Sequence, residues 1–141
     1  MDTNDAPKKF DISLFELEDT ATLTVQNAKG DGDLIGEDGI NPVTIELYGG
    51  GSREATKALH KAGLQAQARL QRVLRGKIDQ KDALRADEEM VAKLATCTKK
   101  VNNFPIDPKE LYANPKLGYI TRQVMRFLDD DANFAKPSST P

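Results

Sequence analysis

The feature that most constrains this sequence is the break at Gly49-Gly50-Gly51-Ser52, which separates two unlike apolar periods. Before it, apolar and polar residues alternate. Leu23 and Val25 oppose Thr22, Thr24 and Gln26, and Val43, Ile45 and Leu47 oppose Thr44, Glu46 and Tyr48. A period of two puts each apolar set on one face of a half-buried strand. After the break, apolar residues recur at steps of three and four, which is the pattern of amphipathic helices. The sequence therefore predicts a mainly α protein of the α+β class, with a small antiparallel β element at the N-terminus followed by helices.

The helical part divides further. Ser52 is placed to cap a helix from Arg53 to about Arg75, with Glu54 in its first turn and Gly76 and Lys77 at its end. Its apolar positions, Ala55, Leu59, Ala62, Ala66, Leu70 and Val73, are mostly alanine, so the stripe is narrow. A second helix is expected from Asp79 to Val101, with Ala83, Ala86, Met90, Leu94, Cys97 and Val101 on one seam. The short connection predicts that the two form a long helix hairpin. Two shorter C-terminal helices follow, one opened by Asp107-Pro108 and one over 115–129 with Leu117, Ile120, Val124, Phe127 and Leu128 on one face. Phe134 is expected to fold back onto the bundle.

At 141 residues the chain fits one domain. We assign residues 1–9 and 136–141 to flexible tails and 10–135 to a single domain, with 10–48 as the β element and 52–135 as the helical part. Within 10–48, residues 10–17 can add a third strand through Ile12, Leu14 and Leu17, although their period is ambiguous. The Gly- and Asp-rich stretch 29–42 is too long for a tight hairpin and is expected to be a floppy connection. The first ten residues lack the apolar core of a signal peptide, and no apolar run reaches the roughly 18 residues that span a bilayer. The expected setting is intracellular and away from membranes.

Composition narrows the chemistry. With one histidine, one cysteine and no tryptophan, the chain has too few soft ligands for a His/Cys metal site. Asp31, Asp33 and Gly36 open a pattern like that of a calcium loop, but Pro42 stands where a bidentate carboxylate is required. Asp129, Asp130 and Asp131 are adjacent and cannot converge on one ion, so they are read as a helix stop. His60 has no nucleophile near it in sequence, Cys97 sits on the apolar seam as a small hydrophobe, and the glycine run lacks the Lys-Ser or Lys-Thr of a phosphate loop. No enzyme, metal or cofactor is predicted.

Charge is uneven along the chain. Residues 1–40 carry ten acids against three bases, and residues 53–77 carry seven bases against one acid. A basic helix suggests nucleic acid, but the pI near 5.5 and the lack of aromatics for stacking favour a solvated face that meets an acidic surface of this protein or of a partner. Head-to-tail meeting of the two blocks predicts weak, salt-sensitive self-association.

Taken together, a strand ending in VTIELYGGGSREATKA, a helical middle and a terminal LYANPKLGYITRQVMRFLDDDANF resemble the small tail assembly chaperones of long-tailed bacteriophages. The resemblance covers about residues 20–135 and rests on Ser52, Leu111, Tyr112, Pro115, Ile120, Gln123, Val124 and the segment 130–134. It implies a non-enzymatic protein of the infected bacterial cytoplasm that coats the tape measure protein, helps tail tube subunits polymerise around it and is absent from the mature virion. A structural tail completion or connector protein retained in the virion is the alternative. A helical client needs an apolar strip with polar flanks. The expected partner-binding residues are Leu59, Leu70, Ile120, Val124 and Phe127, with Arg69, Arg72 and Arg75 beside them.

Overall fold

The computed structural model describes residues 10–76 and 80–136, and for 80–84 the backbone alone. Of the expected tails 1–9 and 136–141, all but Lys136 lie outside the described residues, and Lys136 donates to the Ser13 carbonyl. The fold is mixed α/β, with four α-helices and one three-stranded antiparallel sheet among the described residues. Strands β1 (Thr20–Thr24), β2 (Thr44–Tyr48) and β3 (Thr98–Asn102) lie in that order, with β2 in the centre. Helices α1 (Arg53–Leu74) and α2 (Gln80–Thr96) separate β2 from β3, and α3 (Pro108–Ala113) and α4 (Gly118–Asp129) follow.

Alternation sets which face of the sheet is covered. Leu23 lies opposite Ile45, and Ile45 opposite Val101. Together with Val25, Val43 and Leu47 they meet Leu94 of α2, Leu111 and Tyr112 of α3, Ile120 and Val124 of α4, and Phe134 in one core. Each such aliphatic side chain contributes about 1.5–3 kcal/mol when fully buried. The opposite face is polar. There Thr22, Glu46 and Lys100 stand in register, and the Asn102 amide donates to Thr44 Oγ1 and Glu46 Oε2, each at 3.1 Å.

Several expectations are corrected. The third strand does not come from residues 10–17, where Asp11 accepts from the Ser13 amide at 3.0 Å and caps a 3-10 turn over Ile12–Phe15. It comes instead from the expected end of the second helix. That helix stops at Thr96, and the chain turns into β3, so the sheet is not confined to 10–48 and the part after Ser52 is not all helical. A bulge explains why the sequence hides β3. Leu47 pairs with Thr98 but Glu46 pairs with Lys100, so Lys99 is extra and the inward residues Thr98 and Val101 sit three apart, as on a helix. The central strand also needs a partner on this edge, since its backbone groups would otherwise be buried unpaired. The Tyr48 amide takes the Cys97 carbonyl at 2.7 Å.

Nor does a long helix hairpin form the body of the fold. Arg53–Leu74 is helical and Ser52 caps it, accepting from the Ala55 amide at 3.1 Å. But only Ala55 and Ala58 of α1 are buried, against Cys97 and Leu128. The side of α1 facing α2 is the one bearing Lys61, Gln65 and Arg69, and Arg69 pairs there with Glu89. The larger apolar residues of the stripe, Leu59, Leu70 and Val73, are left exposed. The core belongs to the sheet with α2, α3 and α4.

The connection 27–42 is not floppy. Leu34 accepts from Val43 at 2.7 Å and donates to Val25 at 2.8 Å, which extends the sheet end into two small turns. The Asn27 side chain closes the first turn and Asp38 the second. Asn103, at φ +63°, clasps the second turn from β3's end, donating to Asp38 Oδ1 at 2.9 Å and to the Asn41 carbonyl at 2.7 Å. Gly49, the first residue of the glycine break, is a packing contact, because a Cβ there would lie 2.6 Å from the Phe134 ring. Phe134 does fold back, buried edge-on against Phe127 with ring centroids 5.4 Å apart.

Candidate functional site

The residues that could carry chemistry are occupied by structure. Asp31 accepts from Asn27 and Asp33 from Gln26, so both carboxylates brace the first turn. Asp130 caps the 3-10 turn Asp131–Phe134, accepting from the Ala132 amide at 3.0 Å. Cys97 is buried between α1 and α4, and burial pushes its thiol up, away from the reactive thiolate. His60 is exposed on α1. Among the described residues no group of three or more His, Cys, Asp or Glu gathers as for a metal ion.

The most developed concave surface is an apolar groove. Two clefts meet at Met90 of α2 and Met125 of α4, which line both. The first, of about 180 Å³, runs past Leu94, Cys97 and Leu128 to Ala55 and Leu59 at the start of α1. The second, of about 630 Å³, runs between α2 and the start of α4 to Tyr112, Ala113 and Pro115. The rim mixes signs, with Lys93, Lys109 and Arg122 against Asp87, Glu88 and Asp129. One polar side chain lining the second cleft is buried and unpaired among the described residues. It is that of Thr121, and an occupant with a polar group matching its hydroxyl gains from pairing it.

The groove continues onto α1. At 100° per residue Leu59, Ala66, Leu70 and Leu74 fall within about 80° of one another, on a side centred about 100° round from Arg69, and Val73 lies between them and Arg69. Leu59, Leu70, Val73 and Leu74 are 47–77% exposed. An amphipathic helix with its apolar side uncovered is the arrangement that a second helix can complete.

The eight expected site residues do not converge. Leu59 lines the groove and Leu70 lies on the exposed stripe, where a partner can reach both. Arg69 pairs with Glu89, Arg72 is half-buried on that same side of α1, and Arg75 is the exposed C-cap. Ile120 and Val124, at 1% and 0% exposure, are core residues and are not available as anchors, and Phe127 is half-buried against Phe134. Sequence reasoning missed Met125 and Thr121. Both sit beside the core residues of α4 on its groove side, four residues apart, and the signal that could have found them is that spacing together with Met90, since flexible methionines suit adaptable surfaces.

No family model, curated protein or solved structure matches this chain. Among the described residues no helix is long and apolar enough to cross a membrane.

Proposed function

We propose that this chain is a non-enzymatic assembly chaperone that holds a helical segment of a client in the Met90–Met125 groove. The observation that carries the reading is the meeting of two clefts at those methionines, continued by the uncovered stripe of α1. A helix lying there would bury one apolar side against Leu59, Met90 and Met125 and keep its polar side in water. The mixed charge of the rim sets orientation and encounter rate more than affinity. The sequence resemblance names the client class: the tape measure protein of a long-tailed phage, coated in the host cytoplasm while tube subunits polymerise, with the chaperone left out of the virion.

The test is co-purification with the tape measure protein after Met90→Glu and Met125→Glu. Both positions are over a third exposed, so the fold is kept while the groove becomes charged. Capture is expected to fall at least tenfold. Undiminished capture by a folded double variant would remove the groove from the mechanism. Arg75→Gln, which leaves the Arg69–Glu89 pair in place, is expected to make capture less salt-sensitive. Mass spectrometry of purified particles separates this reading from a retained completion or connector protein, because a chaperone is missing from them.

A further inference from the structure

Two surfaces of the described chain are apolar and uncovered, and they carry opposite charge. The first is the turn at residues 10–15. Phe10, Ile12, Leu14 and Phe15 are each at least 63% exposed. They are held in shape rather than loose, because Asp11 caps the turn and the Phe10 and Phe15 rings stack with centroids 5.5 Å apart. Residues 10–19 contain four acids, Asp11, Glu16, Glu18 and Asp19, and no base. The second surface is the distal half of α1, with Leu70, Val73 and Leu74 exposed near Arg69, Arg72 and the C-cap Arg75, of which Arg69 pairs with Glu89.

The two cannot meet within one copy as folded. The Glu18 amide donates to the Phe134 carbonyl at 2.7 Å, and Lys136 reaches the Ser13 carbonyl, which fixes the hook at the Phe134 end. The same end holds the start of α1, since Gly49 donates to the Asp19 carbonyl at 2.8 Å and Ser52 follows at the cap. Leu70 lies about 27 Å along the helix from Ser52, at about 1.5 Å per residue. Three residues of chain, from Glu18 back to Phe15, span at most about 10 Å.

We infer that the Phe10–Phe15 hook of one copy docks on the Leu70–Leu74 face of α1 of a second copy. Acidic and basic surroundings bring the two surfaces together, and the preformed turn lowers the ordering cost. Because the two surfaces differ, the contact is heterologous and builds chains or rings rather than a closed twofold dimer. A hook this small belongs with interfaces under about 1,200 Å², so association is transient and strengthens with concentration. The contact leaves Met90 and Met125 free but takes the distal end of the α1 stripe that continues the proposed client groove, so it is tested on the chain without client.

The experiment is sedimentation equilibrium on the full chain at low salt, with two double variants. Phe10→Ser with Phe15→Ser removes the hook, and Leu70→Ser with Leu74→Ser removes its seat. All four positions are more than half exposed, so both variants keep the wild-type unfolding temperature. The wild-type average mass is expected to rise with concentration and each variant alone to stay monomeric. Their equimolar mixture is expected to form a heterodimer and nothing larger, because it contains one intact hook and one intact seat. A second pair, Leu14→Asp and Val73→Asp, repeats the design and must behave alike. A monomeric wild type, a variant that associates by itself, or a mixture that stays monomeric or grows past the dimer overturns the proposal.

Discussion

The Thr98 hydroxyl lies 2.6 Å from the Tyr112 phenol and donates its one proton to the Leu94 carbonyl at 2.8 Å, so the phenol donates to Thr98. This buried chain joins the last turn of α2, the first residue of β3 and helix α3 where the backbone leaves the helix for the sheet. Its two ends are not equivalent. Thr98→Val leaves the buried phenol without an acceptor, at about 1–3 kcal/mol, whereas Tyr112→Phe removes a donor and costs about 0.5–1.5 kcal/mol. Urea denaturation of both variants measures the order, and a costlier Tyr112→Phe would contradict the donor assignment.

Alkaline pH acts on the same phenol. Burial pushes Tyr112 up from 10.0 to about 12. The folded state then holds the proton more tightly than the unfolded state, so this contribution is complete below pH 10 and is lost as pH rises toward 12. Tyr112→Phe is expected to flatten the fall in stability over that window, measured by denaturation at stepped pH.

Asp38 gives the opposite sign. The Ile40 amide, the Asn103 side chain and the Asn41 amide hold its carboxylate well below the ordinary 3.8. Its contribution is present above that ordinary value and lost as pH falls through the lower, folded one. Asp38→Ala at neutral pH is expected to speed hydrogen exchange at the Ile40 and Asn41 amides while exchange at Val43 holds. Unchanged exchange would mean that Asn103 alone secures the turn.

Neighbouring glycines are expected to differ. Alanine at Gly49 meets a Phe134 ring that is itself packed on Phe127, and overpacking of this kind costs about 1–3 kcal/mol. Alanine at Gly50 meets nothing within 4 Å and is expected to stabilise by about 0.4–1 kcal/mol by restricting the unfolded chain. Thermal unfolding of the two variants compares them.

Core and surface separate just as clearly among the apolar residues once grouped as partner-binding. Ile120→Ala is expected to cost about 2–5 kcal/mol, and Leu70→Ala to stay within about 0.5 kcal/mol of wild type. Chemical denaturation reads both.

Much of the local structure was legible in the sequence because it rests on interactions within a few residues. Ser52 and Asp107 cap their helices, Pro108 opens α3, and alternation at 43–47 marks which face of β2 is inward. Tertiary structure decided the rest. Spacing of three between Thr98 and Val101 reads as helix until β2 demands a partner and a bulge supplies it. The turns at 27–42 read as slack because Asn103, which holds the second of them, is more than sixty residues away. An apolar stripe at helical spacing looks the same whether it is covered or bare. On α4 the stripe containing Ile120 and Val124 meets the sheet, whereas on α1 the Arg69–Glu89 pair turns the polar side inward and leaves Leu70 in water. Local free energies chose the elements, and the need to pair the edges of β2 and cover its apolar face chose which of their surfaces remained for a partner.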